Sequence, residues 1–520
     1  MPEQKKKSGC LKIFLSMFLC TVAAPLIWCA INFRPTVSDG NPRVDLSVET
    51  TRITEPLDAN GDVDFLEALN MRASKDVTPE NNAAVLYTRA FGNVGYTPDS
   101  FFDEYLSRLQ MDKSSIVDVP FIEFEPWSES EYERLSIDGG SLEPNSPENL
   151  RTQYDYIIYE YAPWSLEQFP SVARWLEDNR ETMNIVREAT KRKYCYFPLV
   201  SKTKPRVLGA LLPHTQKMRD CARYFLVSAS LHLHQGETDL FLDDMRCIER
   251  MSHHLAECPT ILERLTSIAI ARTALSLAEK ACVSGLKSED LKKVIGFVAS
   301  LRLPNNLASR LDQCDRFMII DATVSMGRGE GPNGAPVAFQ FTDWNEALRF
   351  INEEFDRVVE VCKIDDAVQF REQAEEAETL LRQYEDEVWS EGLAATFSGR
   401  VSRGKWMGKM LTAQMFPAFK ATGNADFSIR SEQKMVLIAL AVSAFLTDQG
   451  QLPENLQQLA PEYLAAIPNE TWTNEPFEFS RIETEPGFRI HSTEWLEGEL
   501  TPERTMSVEP AIMSFEEYLQ

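Results

Sequence analysis

Between Leu211 and Pro304, apolar residues return every three or four positions through four successive segments, and each segment stops at a residue that ends helices. No other feature limits the fold so tightly. That spacing puts an apolar stripe on one face of each helix, and every stripe must be buried against a neighbour. In the first segment, Leu211 to Gln235, the residues Met218, Cys221, Ala222, Phe225, Ala229 and Leu233 share a face, and Gly236 ends it. Asp239 to Glu257 follows with Phe241, Met245, Ile248, Met251 and Leu255 aligned. Pro259 opens a third segment through Ile261, Leu265, Ile268, Ala269 and Leu275, closed by Gly285. Ser288 caps a fourth, Glu289 and Asp290 lie in its first turn, and Pro304 ends it. Connections this short make neighbouring helices antiparallel.

The first pair, turning at "HQGETD", has the size of one tetratricopeptide hairpin, but no second copy follows at a period of about 34 residues. Residues 33–150 read as mixed and loop-rich. Helical segments appear in them near 63–73, 79–92 and 99–111, the second with Thr78 as N-cap and Pro79 at the first helical position. The stretch "SIDGGSLEPNSPEN" (136–149) reads as a linker. From 165 onward the chain is strongly helical, and 343–391 adds two more helices, the second charged on most of its faces. A last helix, Ser431 to Asp448, carries "MVLIALAVSAFL", which is too short to cross a membrane and fits a buried core helix.

Residues 13–31, "IFLSMFLCTVAAPLIWCAI", hold no charge. At about 1.5 Å per residue they span about 28 Å, one bilayer core. The basic flank "KKKSGCLK" stays in the cytoplasm by the positive-inside rule, which leaves residues 33–520 outside. Pro25 directly after Ala23-Ala24 makes a poor cleavage site, so an uncleaved anchor is expected over a cleaved signal peptide. Trp28 before Cys29 excludes a lipoprotein box. The partner expected for 13–31 is therefore the lipid bilayer, at the inner membrane.

The formal charge is −26, and residues 1–32 carry +3 of their own, so the body is more acidic still. That balance argues against nucleic acid, which needs a basic surface. With 43% apolar residues the chain can bury a large core. Beyond the anchor, Cys195, Cys221, Cys247, Cys258, Cys282, Cys314 and Cys362 form an odd set with no CxxC. They read as small buried apolar residues, with room for one disulfide in an oxidising compartment.

No catalytic, cofactor-binding or metal-ligating set is assigned. Glu249, His253, His254 and Glu257 fall on one helix, but His253 and His254 point about 100° apart and there is no HExxH. These two, with His232 and His234, are expected as surface or capping residues near helix ends. "GEGPNG" (329–334) satisfies GxGxxG, yet Pro332 interrupts it and no helix start follows, so a flexible loop is expected. "DANGDVD" (58–64) is similar to a calcium loop, but its glycine is fourth and no glutamate stands at position twelve. No GxSxG and no placeable Cys–His pair offers a nucleophile.

The fold class expected is mainly α: antiparallel helical hairpins, tetratricopeptide-like in part, a small α+β C-terminal segment and one N-terminal transmembrane helix. The divisions are a cytoplasmic tail (1–12), the anchor (13–31), a mixed region (33–150), a hairpin region (151–304), further helices with a Gly-rich loop at 327–334 (305–420), and a helix–turn–strand segment with its tail (421–520).

"PLDANGDVDFLEALN" (56–70), "VTPENNAAVLYTRAFG" (77–92), "WLEDNRETMNIVREATKRKYCYFPL" (175–199) and the run from 211 to 275 together resemble a group of single-anchor, mainly helical, uncharacterised proteins typical of planctomycete bacteria. That resemblance implies an anchored helical body and no known activity or cofactor. "DQGQLPENLQQLAPEYLAAIP" (448–468), before "EPFEF" (475–479), is similar to the globular end of type II secretion pseudopilins. Asn469-Glu470 and Asn474 replace that pattern's DP and glycine. After Gly9 there is no pseudopilin processing site, and this helix lies about 400 residues from the anchor, which speaks against pilus assembly. The function expected is a membrane-anchored extracytoplasmic binding or scaffold protein of the cell envelope, with an envelope protein as partner. The alternative is an envelope hydrolase whose site is assembled from scattered residues.

Overall fold

The computed structural model describes residues 37–38, 41–42, 44–138, 145–305, 307–328, 341–396, 398–415, 418–482, 487–496 and 499–508. The expected anchor at 13–31, the basic tail before it and "GEGPNG" lie outside the described residues. Among the described residues no helix is long and apolar enough to cross a membrane.

The chain is mainly helical. A two-residue ladder, β1 (Val37–Ser38) with β2 (Asn41–Pro42), precedes α1 (Phe65–Ala73), which is capped by Asp64 accepting from the Glu67 amide at 3.1 Å. α2 (Ala83–Phe91) starts later than the sequence suggests, because its cap is Asn82 and not Thr78. The Asn82 Oδ1 accepts from the amides of Ala84 (3.1 Å) and Tyr196 (2.8 Å), while its Nδ2 donates to the Tyr196 carbonyl at 3.1 Å. A segment more than a hundred residues away thus holds Asn82, a strong capping residue in its own right, in the cap position.

α3 (Asp99–Leu109), α4 (Phe124–Asp138), α5 (Pro147–Glu160) and α6 (Pro170–Thr190) follow, so the region before 165 holds more helix than its sequence pattern suggests. α4 and α5 are rich in Glu, Ser and Tyr with few aliphatic residues, and aromatic rings hold them in place. Phe124 stacks on Tyr154 at 4.2 Å, and both rings meet the buried Trp175 edge-on at 5.4 and 5.6 Å. Of the expected linker, 136–138 end α4, 145–146 form the turn before α5 and 147–149 open it, and residues 139–144 are not described.

The four amphipathic segments become α7 (His214–Gln235), α8 (Thr238–Glu257), α9 (Ile261–Ala281) and α10 (Ser288–Ser300). Gly236 sits at φ +71°, and the Glu237 amide closes the turn onto the His232 carbonyl at 2.9 Å. Thr260, not Pro259, caps α9 through a capping box with Glu263. Ser288 does not cap α10, because its hydroxyl donates to Asp448 Oδ2 at 2.8 Å, 160 residues on, and Lys287 takes the cap position.

α11 (Leu307–Arg310) runs through a π turn, Leu311–Asp315, into α12 (Arg316–Arg328). Gly327, the first glycine of the expected Gly-rich loop, is therefore helical, and a Cβ there would stand 3.1 Å from Trp344 Cγ. α13 (Trp344–Cys362), α14 (Ala367–Thr396) and α15 (Arg400–Met415) pack together, and α16 (Ala418–Gln449) follows. The chain ends in an antiparallel sheet of β3 (Glu478–Arg481), β4 (Phe488–Leu496) and β5 (Glu499–Val508), in that order.

α16 joins the two largest cores. Its first half places Phe419 and Phe427 among Phe355, Phe370 and Trp472. Its second half, Ile429 to Ala444, enters the core of α7 to α10 and meets the sheet through Ile490 and Phe488. A helix enclosed on all sides is apolar all round, which is why "MVLIALAVSAFL" shows no stripe. α10 pairs with α16, so the hairpin rhythm ends there and does not continue as an array.

Candidate functional site

A cleft of about 800 Å³ opens where α11 and the π turn, the end of α13 and the first half of α16 meet, with Arg52 reaching in from the N-terminal loop. Its size falls in the range of ligand sites. Charge networks build its walls. Arg316 is fully buried at the junction of the π turn and α12, where its charge needs carboxylate partners. It bonds Asp312 and Asp356 at 2.7 Å each, and Asn352 through both its carbonyl and its side-chain oxygen at 3.1 Å. Arg52 reaches Asp356 at 3.2 Å from the solvent side. On the opposite wall Arg430 pairs with Asp365 and lies 5.2 Å over the Phe427 ring.

The floor is aromatic. Phe370 and Phe427 lie 5.2 Å apart, and Trp472 backs Phe427 at 5.4 Å. Gly423 lets α14 and α16 approach there, since a Cβ would fall 2.2 Å from Phe370 Cζ. Beneath the floor, Asp426 pairs with the fully buried Arg264 of α9. Burial holds the Asp426 carboxyl above the usual range in spite of that partner.

A second, smaller cleft of about 240 Å³ lies behind the π turn, and Gln313 lines both. Lys193, Cys195, His253, Glu257 and Arg310 line the smaller one, with Glu257 and Arg310 paired at 3.4 Å.

One of the four histidines expected at the surface near helix ends departs from that expectation. His254 is buried, not at the surface: its Nδ1 accepts from Tyr87 Oη at 3.0 Å and its Nε2–H donates to the Arg192 carbonyl at 2.9 Å. Burial pushes it down to about 4, so the ring is neutral and fully engaged in packing. His253 faces the smaller cleft, and burial lowers it as well. His232 bonds Asp244 at 3.0 Å across the α7–α8 turn. His214, which no motif marked, bonds Glu263 at 2.7 Å with both side chains buried.

The "DANGDVD" loop is satisfied from within the protein. Asp58 Oδ1 accepts the Asn60 and Asp62 amides at 2.8 and 3.1 Å, while Lys204, Arg206 and Arg328 neutralise Asp58, Asp64 and Asp62. Among the described residues no group of three His, Cys, Asp or Glu side chains converges as a metal site would require. Burial pushes the Cys247 thiol up to about 11 and those of Cys282 and Cys362 to about 12, so none of the three is a thiolate at neutral pH.

Arg264, Arg316 and Asp426 carry no motif. The only signal in the sequence is a charge on an otherwise apolar helical face, as in "DRFMII" (315–320). Matched against models of known families, against curated proteins and against solved structures, the chain finds no counterpart in any of the three.

Proposed function

We propose that the chain is a membrane-anchored binding protein of the cell envelope, held by residues 13–31, whose extracytoplasmic helical body seats a segment of a partner protein in the larger cleft. One observation carries this reading: walls of alternating, pre-paired charge, among them Arg316–Asp356, stand over an aromatic floor and are locked from below by the buried Arg264–Asp426 pair. Preorganised walls lower the cost of ordering on binding. A polypeptide segment offers the mixed charge and apolar side chains that such a surface complements. The second half of α16, which the sequence likens with the sheet to pseudopilins, packs on α10 and on β4.

Lys363 stands on the rim, its side chain 57% exposed. Lys363→Glu in the full chain, extracted in mild detergent, is expected to lose a partner that co-purifies with the wild type while the helical content stays unchanged. Retention of the same partner by this variant and by Arg52→Glu would refute the reading.

A further inference from the structure

We infer that Cys195 and Cys258 are a redox-active pair that closes to a disulfide by thiol–disulfide exchange. The two residues come from different parts of the fold. Cys195 lies in the segment after α6 that runs beside the α2 cap, where the Tyr194 amide bonds the Asn81 carbonyl at 3.2 Å. Cys258 is the residue that ends α8. The Cys258 sulfur stands 3.8 Å from the Cys195 carbonyl oxygen and 3.4 Å from the His254 carbonyl. The neighbouring Cys195 thiol leads burial in raising the Cys258 thiol well above its ordinary value. With the Cys258 sulfur against the Cys195 backbone, a turn of the two side chains is the movement that would bring the sulfurs to bonding distance.

The other thiols differ. Burial is the leading cause of the upward shifts of Cys221, Cys247, Cys282, Cys314 and Cys362.

Access sets the order of events. Cys195 is half-buried and lines the smaller cleft, whereas Cys258 is buried behind it. The oxidant is a disulfide, either of an oxidoreductase protein or of a small thiol such as glutathione. Cys195 Sγ gives up its proton and attacks it, so the oxidant's S–S bond breaks and one thiolate leaves and takes up a proton. Cys258 Sγ then attacks Cys195 Sγ, breaks the mixed disulfide and releases the second thiol. Two electrons and two protons pass to the oxidant, which ends as two thiols. The product staples the wall of the smaller cleft and the α2 cap to the α8–α9 corner, closing a chain loop that spans α7 and α8. A bond across so long a loop restricts the unfolded chain and raises the melting temperature by several degrees. This inference stands apart from the binding reading, since it needs neither the larger cleft nor a partner.

The test equilibrates the detergent-solubilised full chain in glutathione buffers from reducing to oxidising, traps free thiols by alkylation and maps peptides without reduction. One linked peptide pair joining residues 195 and 258 is expected in the oxidising buffers, with the higher melting temperature. Cys195→Ser, at the half-buried position, is expected to abolish both the linked pair and the melting shift while keeping the reduced protein's melting temperature. Full alkylation of Cys195 and Cys258 in the oxidising buffers would overturn the inference. So would a linkage of either to another cysteine, or an unchanged shift in Cys195→Ser.

Discussion

Arg264 and Asp426 meet inside the contact between α9 and α16, the Arg264 side chain fully buried and that of Asp426 8% exposed. The pair lies under the larger cleft and joins the two cores that α16 spans. Removing one member strands the other's charge without solvent. Asp426→Ala is expected to cost about 3–5 kcal/mol, read by urea unfolding. The double variant Arg264→Met, Asp426→Leu is expected to recover most of that loss, because two apolar residues need no partner. A double variant as unstable as the single one would show that the charges themselves are needed.

Gly423 is the second point of control. A methyl group there meets the Phe370 ring, so Gly423→Ala forces α14 away from α16 or the ring out of its rotamer. The expected cost is about 1–3 kcal/mol, with weaker partner retention, as read by unfolding and co-purification. Gly236→Ala, which meets nothing within 4 Å but sits at φ +71°, is expected to cost about 1 kcal/mol and leave partner retention unchanged.

Acid is expected to strain the α2–α8 contact through His254. Its pKa is lowered to about 4 in the fold against an ordinary 6.5, so the unfolded chain binds the extra proton first. Its contribution is complete above pH 6.5 and is lost as pH falls from 6.5 toward 4. His254→Gln, which can keep one of the two hydrogen bonds, is expected to be less stable than wild type at pH 7.5 and to flatten this slope, as followed by thermal melts across pH.

Asp315, in the π turn, works in the opposite direction. Burial raises its carboxyl to about 7 from 3.8, and its Oδ2 is buried with no hydrogen-bond partner among the described residues. The folded protein holds that proton where the unfolded chain has lost it, so stability falls as pH rises from 4 through 7. Asp315→Asn is expected to stabilise at pH 8, by an amount on the order of 2 kcal/mol, and to change little at pH 4.5. A melt that is equal at both pH values would contradict the assignment.

The sequence made the helices of 211–300 legible, because each shows one apolar stripe and a clear stop such as Gly236. It was less informative where long-range contacts decide. Thr78 before Pro79 reads as a helix start, yet Asn82 is the cap and is held there by Tyr196. The first half of α16 was invisible because "ATGNAD" (421–426) holds a glycine and an asparagine, weak helix formers that packing on Phe370 makes acceptable. α4 and α5 escaped notice because rings, not aliphatic stripes, hold them. The cleft had no motif at all. Its parts come from residue 52, from 305–313, from 356–370 and from 423–430, and only the folded chain brings them together.

The proposed binding role of the larger cleft is tested most directly by site-specific photo-crosslinking in cells that produce the full chain. A photoreactive residue at position 363, on the rim, is expected to label one discrete protein partner. The same residue at the exposed Asp239 of α8 is expected to label none, and Arg52→Glu is expected to abolish the adduct at 363. Equal labelling from 363 and 239, or an adduct at 363 that survives Arg52→Glu, would contradict the account.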